Sequence, residues 1–136
     1  MKRRQARENV FYLVFETAFQ KEDVNCAELF QTAQDIEVIE YDEFTEKVFF
    51  GVMAEKDAID RKIEEYAKGW KLNRISKVSL AIMRICVYEM LYCDDIPYNI
   101  SINEAVELAK KFDYEKAPSF INGVLNSIAE NEGLKK

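Results

Sequence analysis

The stretch that most constrains the fold is residues 76–92, SKVSLAIMRICVYEMLY, in which most side chains are apolar. From residue 78 onward its strongly polar side chains are Ser79, Arg84 and Glu89. Each five-residue step turns a helix by about 140°, so these three side chains do not share a face. A helix that is apolar nearly all round is usually buried in a bundle, and a membrane span would need about 20 apolar residues. We therefore predict a buried central helix over residues 76–92, with Ser76 as its N-cap.

The rest of the chain also predicts helices. Apolar residues recur at spacings of three and four, and only four glycines and two prolines interrupt the 136 residues. Capping signals stand at Asn25, at Asp42 and in the capping box Ser101-Ile102-Asn103-Glu104. The predicted helices cover residues 3–20, 25–34, 42–68 and 76–92, a segment from Ser101, and a segment from Pro118 to Gly133. The pattern is typical of an all-α protein, and the length fits a single domain over residues 1–136.

The residue inventory argues against an enzyme. The chain has no histidine, which excludes Ser-His-Asp and Cys-His catalytic arrangements. Its four scattered glycines build no phosphate-cradling loop. Its three cysteines contain no C-x-x-C pair and have no histidine to complete a zinc site. We therefore expect no catalytic residues, no cofactor and no metal, and a module that binds or scaffolds.

The cysteines and the N-terminus also bear on location. An odd, scattered set of three cysteines is read most simply as free thiols in a reducing cytosol. The basic N-terminus is not followed by a uniform apolar region or a small-residue cleavage site. We expect a cytoplasmic protein without a membrane segment.

Charge is unevenly distributed along the chain. The formal net charge is −6, yet residues 1–7 carry four cations and no acid. Those cations, here called the basic head, are Lys2, Arg3, Arg4 and Arg7. Residues 22–66 carry 4 basic and 14 acidic side chains, so any nucleic acid must bind a local basic face. The head is either a solvated tail or an anion site in which arginines and free backbone N–H groups contact phosphate together.

Three stretches of the sequence, taken together, carry a resemblance to a known family. The first is RRQARE at residues 3–8. The second is Trp-x-Leu-x-Arg-Ile at residues 70–75 with AIMRICVYEM at 81–90. The third is INEAVELAK at residues 102–110 with FINGVL at 120–125. In this order and at these spacings, the three stretches resemble the NusB family of bacterial transcription antitermination factors. The resemblance covers nearly the whole chain, whereas residues 20–66 match only in character.

The resemblance implies about seven helices in two small bundles that share a core around the central helix. It implies binding of the single-stranded boxA element of nascent ribosomal RNA leaders, as a heterodimer with the ribosomal protein NusE. Other Nus factors and RNA polymerase would be indirect partners in a termination-resistant complex. A methyltransferase domain, to which this fold is fused in some relatives, has no room in the chain.

The resemblance also assigns residues. Lys2, Arg3, Arg4 and Arg7 match the family's arginine-rich head, whose role is phosphate contact and guanidinium stacking. Lys116 and Phe120 are further RNA candidates, although Phe120 is equally well read as core, and Phe15 is read as core. Arg74 and Ser79 are candidates for partner contact, and Ser79 stands where relatives often carry an acid. For about four phosphate contacts, the log–log salt slope of RNA binding would be near −3, at roughly −0.7 per contact.

Two polar residues are given structural roles. Arg84 lies in the predicted buried helix, where a guanidinium needs a carboxylate, and Glu89 and Glu104 are the candidate partners. Asn122 is read as a hydrogen bond between helices.

Two alternatives stay open beside the RNA-binding subunit. One is a protein-interaction module that binds RNA only weakly by itself, its partner supplying most of the RNA contact. The other is a homodimer.

Overall fold

The computed structural model describes residues 1–20 and 23–134, which form seven α-helices and a short 3₁₀ helix. The α-helices are α1 Arg3–Thr17, α2 Cys26–Asp35, α3 Glu43–Ala54, α4 Lys56–Tyr66, α5 Lys77–Tyr92, α6 Tyr98–Phe112 and α7 Ala117–Asn131. The 3₁₀ helix is Leu72–Arg74, between α4 and α5. The all-α prediction is confirmed.

Helix α5 is the central helix that the sequence predicts. Every residue from Ser79 to Met90 is buried, including Arg84 and Glu89. Helices α1, α3, α4, α6 and α7 all pack against it. Because its apolar side chains point in all directions, it can serve two bundles at once.

Two groups of helices share the core. On one side of α5, helices α1, α2 and α3 pack on one another, with α1 against α3 as their main contact. On the other side, α6 packs on α7, and α4 packs on α7. Buried apolar side chains form one continuous cluster across both groups. This arrangement is the pair of small bundles that we expected.

Local signals place most helix ends correctly. The side chains of Asn25, Asp42 and Ser76 accept hydrogen bonds from backbone N–H groups three residues later, at 3.0, 3.1 and 3.1 Å. Gly133 follows α7 with φ of 73°, a conformation that favours glycine. Helix α1 ends at Thr17 rather than at residue 20, because the Thr17 hydroxyl donates to the Val14 carbonyl and the next residues form turns.

The predicted capping box at Ser101 is wrong. Helix α6 begins at Tyr98, where the Pro97 carbonyl accepts from the backbone N–H groups of Ile100 and Ser101. Ser101 therefore lies inside the helix, and its buried hydroxyl donates to Glu89 at 2.8 Å. The Ser-x-x-Glu spacing that marks a cap instead places Ser101 and Glu104 on one face of α6, toward α5 and α1.

The single helix predicted over residues 42–68 is divided at Glu55, where the backbone leaves helical geometry at φ −104° and ψ 14°. The break lets α3 pack against α1 and α5, while α4 packs against α5 and α7. One straight helix could not contact both groups.

Two predicted polar contacts are also corrected. Arg84 binds Asp60 of α4, and neither Glu89 nor Glu104 is its partner. Glu89 and Glu104 instead bind arginines of α1. Asn122 is exposed and accepts from Asn126 in the same helix, so it makes no bond between helices.

Candidate nucleic-acid interface

Arg7 of the basic head is buried beneath the start of α1. Its Nε and Nη2 atoms donate to the two carboxylate oxygens of Glu89 on α5, both at 2.8 Å. The side chains are only 5% and 1% exposed. Burial lowers the pKa of the Arg7 guanidinium, but the hydrogen bond and charge of Glu89 raise it overall. Direct phosphate contact, the role that the sequence suggested for Arg7, conflicts with this position.

Arg4 lies at the surface but is already paired. Its Nε donates to Oε1 of Glu104 at 3.1 Å, and its Nη2 donates to Oε2 at 2.6 Å. The Arg4 side chain is 63% exposed, whereas that of Glu104 is 12% exposed. The hydrogen bond from Arg4 lowers the pKa of the Glu104 carboxyl, although partial burial raises it. Glu104 also lies 3.6 Å from Nη1 of Arg7, so the two arginines share this carboxylate.

Lys2 and Arg3 complete the basic head. Lys2 is exposed in an extended residue just before α1, and Arg3 is also exposed. The Arg3 guanidinium lies over the ring of Phe44, 4.2 Å from its centroid. Within the part of the chain that the structure describes, neither makes an ion pair. The four cations thus divide into two without a carboxylate partner, one paired at the surface and one buried.

A groove of about 340 Å³ runs between α1 and α6 beside the paired cations. Its lining residues are Arg4, Arg7, Glu8, Glu104, Glu107, Leu108, Lys110 and Lys111. Lys111 donates to both carboxylate oxygens of Glu8 at 2.9 Å. Lys110 and Glu107 make a looser contact of 3.5 Å. Positive groups line the groove, and each of them has a carboxylate partner.

A row of phenylalanines continues from this groove along α1. Phe112 stacks on Phe11 with ring centroids 5.0 Å apart, Phe11 on Phe15 at 5.7 Å, and Phe15 meets Phe19 edge-on at 4.9 Å. These four rings are here called the aromatic strip. Phe112 is 41% and Phe19 58% exposed, and Phe15 is half-buried.

Cations stand at both ends of the aromatic strip. Lys111 lies 5.3 Å from the ring centroid of Phe112, and Lys77 lies 5.7 Å from that of Phe19. Phe11 and Phe15 follow Arg4 by seven and eleven residues, which are close to whole turns of a helix. All three side chains therefore lie within about 20° of one line along α1. The groove and the strip therefore follow the same side of α1, with the buried ring of Phe11 between their exposed parts.

A second aromatic site, the aromatic corner, lies where the loops before α5 and α7 meet. The residues around its small pocket of about 40 Å³ are Trp70, Arg74, Ile75, Ser76, Ser79, Tyr114 and Phe120. The half-buried Phe120 meets the exposed ring of Trp70 edge-on at 6.0 Å. The corner brings three predicted site residues together, namely Phe120, Arg74 and Ser79. Lys116 is exposed on the neighbouring loop and does not line the pocket.

A carboxylate, that of Asp113, lies beside Ser79. Ser79 is buried, and its Oγ donates to Oδ2 of Asp113 at 2.5 Å. Asp113 follows the end of α6 and also accepts the backbone N–H of Tyr114. This pairing has no local signal in the sequence, because the two residues are 34 positions apart.

The interface also contains residues that sequence reasoning missed. They are Glu104, Lys110, Lys111, Phe112, Asp113, Trp70 and Tyr114. The position of Phe112 at the end of the apolar face of α6 was visible in the sequence. Its exposure was not, because exposure depends on how the helices pack. For Glu104 the sequence predicts a place in a helix cap or a pairing with Arg84, whereas its partners in the structure are Arg4 and Arg7.

The described residues offer no sign of other chemistry. Across residues 1–20 and 23–134, no group of three or more Cys, Asp or Glu side chains is placed to hold a metal ion. Nor is any helix within these ranges long and apolar enough to cross a membrane. Cys26, Cys86 and Cys93 are free thiols, and burial raises the pKa of Cys86 well above its usual value.

Comparison with known proteins agrees with this geometry. The NusB family model matches residues 4–130. The protein named transcription antitermination protein NusB from Clostridium kluyveri is 40% identical, with 100% of both chains covered. The protein of the same name from Bacillus pumilus is 44% identical, with 94% of this chain and 95% of the relative covered.

Solved structures agree as well. T. maritima NusB superposes with a TM-score of 0.83 at 32% identity, covering 96% of this chain and 92% of that one. A structure of antitermination factors NusB and NusE in complex with dsRNA has a TM-score of 0.83 at 26% identity, covering 95% and 96%. On the match of sequence and fold over nearly the whole chain, the protein belongs to the NusB family.

Proposed function

We propose that the protein is a transcription antitermination factor subunit. It binds the single-stranded boxA element of nascent ribosomal RNA leaders as a heterodimer with NusE, and the assembly stabilises RNA polymerase against termination. The observation that carries the proposal is the side of α1 and α6 on which cations stand beside the exposed rings of Phe112 and Phe19.

This face has the two components that unpaired RNA requires. Unpaired bases stack on aromatic side chains, at roughly 1–3 kcal/mol per base, while cations contact the backbone. Phe112 and Phe19 are the rings with most free area, and Lys111 and Lys77 stand beside them. Lys2 and Arg3, for which the described residues provide no carboxylate partner, supply further cations at the start of α1. Bases would therefore lie along the aromatic strip, with phosphates toward the basic head.

The aromatic corner is the proposed contact with NusE. It combines exposed apolar area at Trp70 and Tyr114 with the charge of Arg74 and Asp113. Ser79 stands where relatives often carry an acid, and Asp113 supplies a carboxylate beside it. Phe120 and Lys116 lie at the edge of the corner, where RNA and protein partner would meet. Interfaces of this kind typically combine buried aromatic anchors with a polar rim.

The role is binding rather than catalysis, and it belongs in the cytoplasm, where nascent RNA emerges from bacterial polymerase. The charge pairing in the basic head predicts that the chain binds RNA only weakly without a protein partner. Two of the four cations in the basic head already bind carboxylates. This favours a pair in which NusE supplies much of the affinity, the second reading that the sequence left open.

Fluorescence anisotropy tests the proposal with three short RNAs: boxA, a scrambled sequence, and boxA annealed to its complement. We expect single-stranded boxA to bind most tightly, and NusE to increase that preference. Equal binding of all three RNAs with NusE present would contradict the proposal, and tighter binding of the duplex would replace stacking by recognition of helix shape.

A further inference from the structure

We infer that Glu104 restrains RNA binding by occupying the edge of Arg4 that would otherwise hold a phosphate. The inference rests on the proposed function, because it concerns the same face. It concerns one residue of the basic head, since Arg7 is buried and the other two cations have no carboxylate partner among the described residues.

Glu104 and a phosphate exclude each other at the Nε–Nη2 edge of Arg4. The two carboxylate oxygens of Glu104 accept hydrogen bonds from Nε and Nη2 of Arg4, at 3.1 and 2.6 Å. This paired arrangement is the one by which arginine binds phosphate most strongly, since both anions present two oxygens to the planar fork. A phosphate can bind that edge only after the carboxylate has left it.

Glu104 is held in place independently of Arg4. Its side chain is 12% exposed, whereas Arg4 is 63% exposed, so the carboxylate belongs to the protein body and the arginine to the surface. The buried guanidinium of Arg7, 3.6 Å away, attracts it from below. Arg7 is itself bound to Glu89, which Ser101 also contacts. For a phosphate to take the Nε–Nη2 edge, Arg4 must therefore move away from Glu104, because Glu104 is held by the protein body.

The consequence for binding is a lower effective charge. The basic head has four formal cations, but the Arg4 and Arg7 charges are each balanced by a carboxylate. Each phosphate contact on single-stranded RNA contributes roughly −0.7 to the log–log salt slope. With Arg4 occupied, the protein gains less from its basic head than the sequence suggests.

The test compares Glu104→Gln with Glu107→Gln by anisotropy, using boxA RNA and scrambled RNA at several salt concentrations. Glu107 lines the same groove, and its contact with Lys110 is a single 3.5 Å approach between exposed side chains. Both variants remove one negative charge, but only E104Q releases the guanidinium fork. We expect E104Q to tighten binding of both RNAs about two- to fivefold, as expected for loss of one exposed ion pair, and to steepen the salt slope by roughly 0.7.

A further variant isolates the cause. In an Arg4→Gln background, E104Q should give no more gain than E107Q, because no fork remains to be released. Urea unfolding of each variant confirms that the folded state is being compared. Weaker binding by E104Q would overturn the inference and would mean that Glu104 orients Arg4 for RNA. A gain equal to that of E107Q in the wild-type background would also overturn it, because the gain would then come from the lost charge alone.

The two RNAs separate this result from the proposed function. Phosphate contacts carry no sequence information, so the gain should appear with scrambled RNA too. If E104Q tightens both RNAs while boxA is never preferred, the inference stands and the proposed function fails. If boxA is preferred but E104Q gives no gain, the function stands and the inference fails.

Discussion

Two arginine–carboxylate pairs on opposite sides of α5 can be compared, since both arginines are buried, whereas Glu89 is buried and Asp60 only partly so. Arg7 binds Glu89 of α5 with both contacts at 2.8 Å, and Arg84 of α5 binds Asp60 with contacts of 2.7 and 2.9 Å. Glu89 and Arg84 are five positions apart, so they point about 140° away from each other. Each pair joins the central helix to a neighbour, α1 in one case and α4 in the other.

What differs is what lies beyond each pair. Beside Arg7, Glu104 extends the network to Arg4 and the open groove. Beside Asp60, Lys56 approaches only to 4.0 Å within α4. The proposed RNA surface adjoins the Arg7 pair, whereas Asp60 lines a groove of about 320 Å³ whose charged residues are mostly acidic, namely Asp57, Asp60, Glu64 and Arg61. A buried ion pair is not by itself a sign of function, and its connections to the surface decide what it does.

The largest expected effects come from removing the two arginines. Arg7→Ala should lower the free energy of unfolding by about 3–5 kcal/mol, because it leaves the buried carboxylate of Glu89 without its partner. Arg84→Ala should cost less, because the carboxylate of Asp60 is 13% exposed and has Lys56 4.0 Å away. Urea unfolding measures this loss. In anisotropy at temperatures where both variants stay folded, only R7A should bind boxA RNA more weakly, since only Arg7 lies beneath the basic head.

Conservative variants allow RNA binding to be compared without large losses of stability. Arg7→Lys and Arg84→Lys retain the charge but lose the paired hydrogen bonds. Equal loss of RNA binding by R7K and R84K, at equal stability, would show that the two sides of α5 do not differ in function.

A smaller effect sharpens the comparison without changing charge. A Cβ atom at Gly51 of α3 would overlap the ring of Tyr88 on α5, so Gly51→Ala should cost about 1–3 kcal/mol through overpacking. Gly123→Ala is the matched control, because nothing lies within 4 Å of its added Cβ, and it should gain up to about 1 kcal/mol of helix propensity. Thermal unfolding measures both variants.

RNA binding by folded G51A should equal that of the wild type. A loss of binding there would mean that any destabilisation near α5 weakens the RNA face, and that the special role of Arg7 is mistaken.

Much of the fold was predictable because its signals are local. The apolar surface of α5 requires no partner to be recognised, and the caps at Asn25, Asp42 and Ser76 act within three residues. The cap predicted at Ser101 failed for a physical reason. A Ser-x-x-Glu spacing serves a cap and a tertiary network equally well, and only the neighbouring helices decide between them.

The site was less predictable because its contacts are distant in sequence. Arg4 and Glu104 are 100 positions apart, and Arg7 and Glu89 are 82 apart. Composition and the family resemblance placed four cations at the N-terminus, but neither showed that two of them bind carboxylates. The aromatic strip depends likewise on α6 bringing Phe112 onto Phe11.

The most direct test of the central claim is to map RNA contacts by amide NMR shifts. The labelled protein would be bound to unlabelled NusE, and spectra compared before and after addition of boxA RNA. We predict RNA-dependent shifts concentrated in residues 2–19 and 104–120, with α4 unchanged. Shifts concentrated in α4, beside the Arg84–Asp60 pair, with α1 unchanged, would contradict the account.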